Sequence, residues 1–377
     1  MAQALIHHSA APQNEKATYS DFDNVEFVLS NEGRSLVMGS VRIEGELNIT
    51  VQGELFGLTN TSQDVTTYFD KYAGIHAVCE QMTTTAAGMT LETLSDYPRL
   101  VASIVSATQS QTDLFNSNNV CELRTPNEEM SREVLMGEYL QADPNDPNVA
   151  RNAPDFSFKP VSVLNNSVGV MPYSKVGPIK ISLNLARIAD VVYGPGTAAA
   201  NPSYALSNLR CTWRSVPDDG SPVQIDMIRH LSNRQDIQTS QASLQLRVPA
   251  VCTNMFANFI RRSAVGQVDP NTLALERPPG VSEVEFLFSD ATNTLVTYRL
   301  RSEVEILERY LDALSNGMGV NAASLRNVYS NAVYGIGLSF DGELDLNSKP
   351  LTMQLSSQIS NTNPFTAVFH FRSMLSL

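Results

Sequence analysis

The chain has 377 residues and a mass of 41.2 kDa, above the size at which one hydrophobic core usually divides, so two domains are expected. Its 26 Lys and Arg against 39 Asp and Glu give a formal charge of −13, which disfavours direct binding to nucleic acid phosphates. No stretch approaches the roughly 20 consecutive apolar residues of a membrane span, and the N-terminus lacks a basic segment followed by an apolar one, so we expect a soluble protein without a secretory signal.

The N-terminal residues and the first strands differ sharply in pattern. Residues 1–20 are polar and small with no periodic face, which predicts an N-terminal arm outside the core. A strand signal follows at 25–29, and residues 41–55 then alternate apolar and polar side chains without a break. Because successive side chains of a strand point to opposite faces, this alternation predicts a long strand with one buried face.

The middle of the chain contains a helix breaker, a loop and a second clear strand. Pro98 argues against a continuous helix through residues 91–105, and the proline-rich stretch 142–154 predicts a long exposed loop. Alternation returns at 179–185, where the apolar residues share one face. Residues 193–203, rich in glycine, proline and small side chains, are predicted to link two domains near the midpoint.

The second half repeats the strand pattern. Further strand signals lie at 209–216, 242–248, 284–288, 294–300, 334–340, 351–359 and 364–371. Each half ends on a strand, a turn and a final strand, at 156–164 and 178–186 in the first and at 351–359 and 364–371 in the second. This similarity indicates a weak internal duplication.

One helix stands out among the strands. Ser302 and Glu305 form a capping box, and Gly317 provides a C-terminal stop. The apolar residues Val304, Leu307, Leu311 and Leu314 recur at helical spacing. We expect this apolar face to pack against a sheet of its own domain rather than against a partner.

The cysteines and histidines do not indicate a metal or disulfide site. Cys79, Cys121, Cys211 and Cys252 are far apart and form no CxxC pair, so free and mostly buried thiols are predicted. None of the five histidines falls in an HxH or HExxH motif. The adjacent His7 and His8 are expected to be solvated in the arm, and His370 is expected to be exposed on the polar side of the last strand.

No catalytic motif is found. GxSxG, GxxxxGK and GxGxxG are all missing. Acidic pairs occur at 128–129, 218–219 and at Glu283 with Glu285, and the Asp143–Asp146 loop carries hard oxygen ligands, but solvated surface is the favoured interpretation of all of them. We therefore predict no catalytic, cofactor-binding or metal-binding residues, and no enzyme activity.

Taken in order, these segments resemble the double jelly-roll major capsid proteins of tailless icosahedral DNA viruses and phages, the lineage of tectivirus, corticovirus and adenovirus hexon. The segments that carry the resemblance are VEFVLS (25–30), SLVMGSVRIEGELNITV (35–51), FSFKPVSVLNNSVGVMPYSKVGPIKISLNLA (156–186), YALSNLRCTWRSV (204–216), YRLRSEVEILERYLDAL (298–314), YGIGLSFDGELDLNSKPLTMQL (334–355) and NPFTAVFHFRS (363–373). Each is unspecific alone, and their joint order spans nearly the whole chain.

The resemblance implies an all-β chain of two tandem eight-stranded jelly-roll sandwiches with a few short helices. On this basis residues 1–20 are assigned to an N-terminal arm, 21–195 to the first jelly roll and 196–377 to the second, with 204–216 as the first strand of the second jelly roll. The loops 142–154 and 268–280 are expected to reach solvent or a neighbouring capsomer.

The same resemblance implies a structural role in the virion. The chain would form homotrimeric, pseudo-hexagonal capsomers that tile an icosahedral shell. Its partners would be itself, neighbouring capsomers, minor capsid or vertex proteins and, through the N-terminal arm, an internal membrane. No direct contact with nucleic acid is expected.

Two other classes of function compete with the shell subunit. One is a tandem jelly-roll carbohydrate-binding, spike or vertex protein of a virion, which would display exposed aromatic side chains for sugar stacking. Trp213 is the single tryptophan and lies on an apparently buried strand face, which disfavours this class. The other is a β-sandwich glycoside hydrolase, which requires two converging carboxylates.

Overall fold

A computed structural model describes residues 5–51, 54–55, 68–108, 121–124, 155–194, 201–220, 224–249, 251–289, 294–318, 334–345 and 350–377. Strands before residue 218 are β1 (Ile6–Ala10), β2 (Thr18–Tyr19), β3 (Asn24–Leu29), β4 (Arg34–Val37), β5 (Arg42–Val51), β6 (Glu54–Leu55), β7 (Tyr68–Phe69), β8 (Cys79–Ala86), β9 (Met89–Ser95), β10 (Asp155–Phe158), β11 (Val170–Pro172), β12 (Ile179–Leu185), β13 (Val192–Tyr193) and β14 (Ser203–Pro217). Later strands are β15 (Asp226–Ile237), β16 (Gln241–Leu246), β17 (Val251–Arg261), β18 (Glu283–Ser289), β19 (Thr294–Leu300), β20 (Ile336–Asp345), β21 (Leu351–Ser356) and β22 (Phe365–Ser376).

Helices connect some of these strands. They are α1 (Tyr97–Thr108), α2 (Val163–Asn166), α3 (Tyr173–Val176), α4 (Ile188–Val191) and α5 (Glu303–Met318), with short 3₁₀ segments at Gly74–Val78 and Arg262–Ala264. The long helices α1 and α5 hold equivalent places, because α1 follows β9 and α5 follows β19.

The strands form two antiparallel sandwiches with the same topology. In the first, one sheet runs β10–β5–β14–β4–β11, with β1 and β2 also pairing along β14 and β6 along β5, and the other runs β3–β12–β8–β9. In the second, the sheets run β15–β22–β17–β20 and β16–β21–β18–β19. The eight principal strands of the first sandwich are, in chain order, β1 with β2, then β3, β5, β8, β9, β10, β12 and β14, and those of the second are β15 to β22. Numbered 1 to 8 in this way, both sandwiches have sheets with the strand orders 1-8-3-6 and 2-7-4-5. This arrangement confirms the prediction of two tandem jelly rolls.

The long alternating segment forms the centre of the first jelly roll. Ile43, Leu47 and Ile49 of β5 are buried, as the alternation predicts. Gly45 interrupts this apolar series because a Cβ there would lie 2.7 Å from Leu209 Cδ2 and 3.0 Å from the Phe156 ring. A small residue therefore allows β5 to pack under two large side chains.

The assignment of β14 to the second jelly roll is wrong. Cys211 of β14 pairs with Ala10 on one side and with Ile43 on the other, so this strand is central in a sheet of the first jelly roll. The glycine- and proline-rich stretch 193–203 therefore precedes the last strand of the first jelly roll. The predicted duplication is also shifted by one strand. It matches residues 178–186, in β12, with 364–371, in β22, whereas the strand orders make β12 equivalent to β21 and β14 equivalent to β22.

The prediction of a separate arm also fails for residues 6–19. Residues Ile6–Ala10 pair with β14 over five positions, from Ile6 opposite Ser215 to Ala10 opposite Cys211. Most of their side chains remain exposed, which explains why the sequence shows no apolar periodicity. Backbone pairing at a sheet edge does not need that periodicity.

The two long helices differ from expectation in detail. Pro98 lies in the first turn of α1, where its missing N–H costs no helical hydrogen bond, so it starts a helix instead of preventing one. In α5 the Ser302 hydroxyl accepts a hydrogen bond from Glu305 N at 3.1 Å, which confirms the cap. The helix extends to Met318, one residue past Gly317. Among the residues of α5 up to Leu314, Ile306, Tyr310, Ala313 and Leu314 are buried, whereas Val304 is 75% exposed.

The helix α5 lies against β20 because two glycines leave room for it. A Cβ at Gly337 would lie 2.8 Å from Ala313 Cβ and 3.0 Å from Tyr310 Cα, and a Cβ at Gly335 would meet the Tyr310 ring. The backbone of the sheet and the helix are therefore in close contact.

Replacing Gly337 by alanine is expected to lower the free energy of unfolding by about 1–3 kcal/mol, because the added methyl group must displace α5 from β20. Chemical denaturation of the full chain measures this change. Ser243→Ala, at an exposed position of β16, is the control and should change stability by less than about 0.5 kcal/mol. Equal effects of the two substitutions would contradict this account of the packing.

Candidate functional site at the junction of the two jelly rolls

In the sheet β15–β22–β17–β20, the central strands β22 and β17 are buried on both faces over most of their length. One face, which includes Phe369 and Phe371 of β22, contributes to the core of the second jelly roll. The other face meets the first jelly roll and α5, and it carries His370, Phe256 and Asn258, each no more than 1% exposed. The expectation that His370 is exposed is therefore wrong, because the face opposite the core is covered by the other jelly roll.

Asn258 joins the two long helices through this sheet. The Ser103 hydroxyl on α1 donates a hydrogen bond to Asn258 Oδ1 at 2.5 Å. Asn258 Nδ2 donates to the Tyr310 hydroxyl on α5 at 3.0 Å and to the Tyr334 carbonyl at 3.1 Å. One fully buried amide thus links elements of both jelly rolls.

Glu92 of β9 forms a second buried link. Its carboxyl accepts one backbone hydrogen bond from each jelly roll, from Val163 N at 2.7 Å and from His230 N at 2.6 Å. Burial raises the pKa of Glu92 to about 8, although both N–H bonds and the charge of Arg229 act in the opposite direction. At neutral pH the group is therefore mostly protonated.

Two buried histidines lie on the same face of this sheet, His230 on β15 and His370 on β22. Asn166 Nδ2 donates to His230 Nδ1 at 3.2 Å, and His370 Nδ1 is hydrogen-bonded to the Ser232 hydroxyl at 3.0 Å. Burial lowers the pKa of His230 to about 3, with a smaller contribution from Arg372, and lowers the pKa of His370 to about 4. Both rings are neutral in the folded protein at neutral pH.

An ion pair and a loop complete the junction. Asp96, which precedes α1, forms a bidentate pair with the Arg234 guanidinium of β15. In the 268–280 loop, Asn271 Nδ2 donates to Asp70 Oδ2 at 2.8 Å, and the Thr272 carbonyl accepts a hydrogen bond from Arg99. The prediction that the whole of this loop reaches solvent or a neighbour is wrong for residues 271–273, which attach the second jelly roll to the first.

A cavity of about 410 Å³, which we call the junction cavity, lies between the jelly rolls beside this ion pair. Its lining comes from both: Glu80, Asp96, Pro98, Arg99, Ala186, Arg187 and Asp190 from the first, and Arg234, Gln235, Asp236, Ile260, Arg262, Val265, Thr272, Leu273 and Thr366 from the second. It combines apolar side chains with four guanidinium and four carboxylate groups.

The other residues singled out in the sequence lie elsewhere and do not converge. His8 stacks on Trp213 with ring centroids 5.2 Å apart, and its Nε2 is hydrogen-bonded to Ser215 Oγ at 2.7 Å. Trp213 is 5% exposed, which confirms its buried position. Glu283 and Glu285 both form ion pairs with Arg299. The 128–129 pair and the Asp143–Asp146 loop fall outside the described residues.

Neither metal coordination nor membrane crossing is indicated in the described part of the chain. No group of three or more His, Cys, Asp or Glu side chains there is arranged to hold a metal ion. No helix among those residues has the length and apolar composition needed to cross a bilayer.

The sequence reasoning missed Glu92, Asp96, His230 and Asn258. Glu92 and Asp96 lie four residues apart in the first jelly roll, His230 and Asn258 lie in the second, and the two pairs approach only through the contact between the jelly rolls. One usable signal was present: residues 365–371 of β22 contain no Asp, Glu, Lys or Arg on either face, which favours a strand that is covered on both sides.

Comparison with known structures supports the fold. No family model and no curated protein sequence matches the chain. Similar solved structures include the PBCV-1 virus capsid (9% identity over all of this chain and 95% of that chain, TM-score 0.59). They also include the major capsid proteins of Faustovirus (7% identity, 100% and 90%, TM-score 0.53) and mavirus (10% identity, 98% and 90%, TM-score 0.52). The chain therefore has the double jelly-roll fold that these capsid proteins have.

Replacing Asn258 by alanine is expected to lower the free energy of unfolding by about 2–4 kcal/mol. The Ser103 and Tyr310 hydroxyls would lose a buried partner, and a cavity would form. Denaturant unfolding measures the change, and hydrogen exchange should show faster opening of α1 and α5. Gln245→Ala, at an exposed position of β16, is the control, and a comparable loss in both variants would contradict the bridging role.

The titratable groups of the junction predict a stability maximum near pH 6.5. The two histidines bind fewer protons when folded, so their contribution is present above their unfolded pKa of about 6.5 and is lost as the pH falls toward 4 and 3. Glu92 binds more protons when folded, so its contribution is present below an unfolded pKa of about 4.5 and is lost as the pH rises through 8.

Between pH 6.5 and 8, Glu92 alone should reduce stability, by at most about 1.4 kcal/mol per pH unit for one proton. Glu92→Gln should be less stable overall, because the amide nitrogen cannot accept a backbone hydrogen bond, but it should lose this slope. Denaturation at several pH values tests both effects. An unchanged slope in Glu92→Gln would assign the alkaline loss to another group.

Proposed function

We propose that the chain is the major capsid protein of an icosahedral virus and has no catalytic activity. The observation that carries this proposal is the fold match over nearly the full length of both chains with capsid proteins of several viruses. In this proposal the protein resides in the capsid shell of the virion.

A trimeric capsomer is expected because each chain contains two similar jelly rolls. Each chain contributes two jelly rolls with the same strand order, so three chains place six similar sandwiches around a threefold axis. Such a ring approximates sixfold packing while it closes under true threefold symmetry. We propose this homotrimer, with a pseudo-hexagonal outline, as the capsomer.

The junction supports this assembly because a capsomer requires a fixed angle between its jelly rolls. Asn258, Glu92 and the pair of Asp96 with Arg234 link the two jelly rolls through buried polar contacts. Geometric requirements on hydrogen bonds make these links directional, so they favour one relative orientation.

The pairing of β14 with β1 and β5 supports a revised division of the chain. We propose that the first jelly roll extends through β14 to Pro217 and that the second begins at β15, with the connection in residues 218–225. Residues 6–19 belong to the first jelly roll, so we assign them no contact with a membrane. Neighbouring capsomers and minor capsid or vertex proteins are the proposed partners.

The competing functions have less support. A sugar-stacking role would need Trp213 at the surface, whereas it is buried under His8. A hydrolase would need two free carboxylates facing one cleft, whereas Glu283 and Glu285 both form ion pairs with Arg299.

Sedimentation and imaging of the purified full chain test the proposal. We expect a stable species of about 124 kDa, three times the chain mass of 41.2 kDa, and particles with a pseudo-hexagonal outline and a threefold centre. A protein that stays monomeric over a wide concentration range would contradict the capsomer assignment. Glycan binding by such a monomer would favour the carbohydrate-binding alternative.

A further inference from the structure

The N-terminal strand β1 is attached to the first jelly roll by backbone pairing and by a histidine. Most of its side chains are exposed, and residues 6–10 pair with β14 alone in the described part of the chain. His8 lies opposite Trp213 and stacks on its ring, with the centroids 5.2 Å apart. The attachment of β1 therefore depends on the state of this one imidazole.

The hydrogen bonds around Ser215 fix the protonation state of His8. The Ser215 hydroxyl accepts a hydrogen bond from Arg34 Nε at 2.6 Å, because an arginine nitrogen can only donate. Among the described residues, the other partner of this hydroxyl is His8 Nε2, at 2.7 Å. The Ser215 O–H therefore donates to His8 Nε2. That nitrogen is an acceptor, so the ring is neutral in the paired strand.

Protonation of His8 would reverse this arrangement. It turns Nε2 into a donor, so cationic donors from His8 and Arg34 would converge on one oxygen. The proton of the buried Ser215 hydroxyl would lose its acceptor. Arg34 is held in place, because its Nη2 also donates to the Ser215 carbonyl at 3.0 Å. Like charge and the lost hydrogen bond both favour release of the protonated ring.

The charges near His8 add to this effect. Burial lowers the pKa of His8, and the positive charges of Arg34 and His7 lower it further. Arg214 of β14 lies opposite His7 in the register. The strand β3, which also contacts β1, carries Glu26, but that carboxylate pairs with Lys180 at 2.7 Å. None of the charges from described residues that act on His8 is a carboxylate.

Hydrogen bonds after β1 limit how far the N-terminus can detach. Gln13 N donates to the Glu26 carbonyl at 2.6 Å, and Glu26 N donates to Asn14 Oδ1 at 3.1 Å. Tyr19 is 2% exposed and pairs with Leu206 of β14. None of these contacts involves a histidine, so residues 13–19 remain attached when His8 is protonated.

We propose that β1 is an acid-released strand: protonation of His8 detaches residues 6–10 from β14 while the rest of the first jelly roll stays folded. Release uncovers Trp213 and the backbone edge of β14 at residues 211–215. An open strand edge can pair with a strand of another chain. This inference goes beyond the proposed capsid function and does not depend on it.

Hydrogen exchange of the full chain between pH 7.5 and 5 measures the release. Protection factors, which correct for the intrinsic pH dependence of exchange, report the opening equilibrium of each amide. The paired ring binds a proton less readily than a free one, so pairing is strongest above the unfolded pKa of about 6.5 and weakens as the pH falls. Protection of residues 6–10 should therefore fall below pH 6.5, by at most about tenfold per pH unit for one proton.

Trp213 gives a second measurement, because it is the single tryptophan of the chain. Acrylamide should quench its emission more strongly as the pH falls, since β1 leaves the indole. A protonated imidazole that stayed stacked would lower the emission without making the indole more accessible to acrylamide. That result would mean protonation without release and would overturn the proposal.

Two neighbouring substitutions separate His8 from other acid effects. His8→Gln keeps an oxygen acceptor for Ser215 but binds no proton, so the acid loss of protection in residues 6–10 should disappear. His7→Gln, at an exposed position, is the matched control. It should keep the transition, with a midpoint moved slightly to higher pH because one positive neighbour is gone.

The amides of β12, in the opposite sheet, report global unfolding, which His230 and His370 also make sensitive to acid. Residues 6–10 should open more often than β12 at pH 5. If they opened only together with β12, or kept the same protection at pH 7.5 and 5, acid release would be refuted from the wild-type chain alone. An acid loss that persisted in His8→Gln would assign the effect to another group and would also refute it.

Discussion

The structure depends on one constraint: the central strands β22 and β17 of the sheet β15–β22–β17–β20 are covered on both faces over most of their length. Antiparallel sheets often leave one face in water, and a single jelly roll could do so. Here the second face carries Asn258, His230 and His370, which are buried only because the first jelly roll and α5 cover them. The two jelly rolls are therefore parts of one body, and each requires the other to complete its hydrogen bonds.

The chemistry of this covered face determines what the junction provides. Apolar surfaces would hold the jelly rolls together over a range of angles, because hydrophobic contact has little directionality. The carboxyl of Glu92 and the amide of Asn258 instead require particular partners at particular distances. Buried polar groups of this kind add little net stability but favour one arrangement when all are satisfied. A subunit that must tile a shell at a constant angle would gain from that selectivity.

The sequence predicted local elements well and their assignment to sheets poorly. The alternation of β5 and the cap at Ser302 depend on neighbouring residues, so they could be identified directly. The place of β14 could not, because a glycine- and proline-rich connection looks the same whether it joins two domains or the last two strands of one. His370 was misplaced for a related reason, since alternation shows that a strand has two faces but not what covers the second. The junction residues come from distant strands, so no spacing in the sequence indicates their meeting.

The pairing of β1 with β14 has a consequence for biosynthesis. Ile6 lies opposite Ser215, and in the second jelly roll Asp226 lies opposite Ser376. Each sandwich thus joins its first strand to its last, so neither can close until its final strand has left the ribosome. The edge of an incomplete first sandwich is exposed to aggregation while some two hundred residues are translated, and the second sandwich closes only after β22 has been translated.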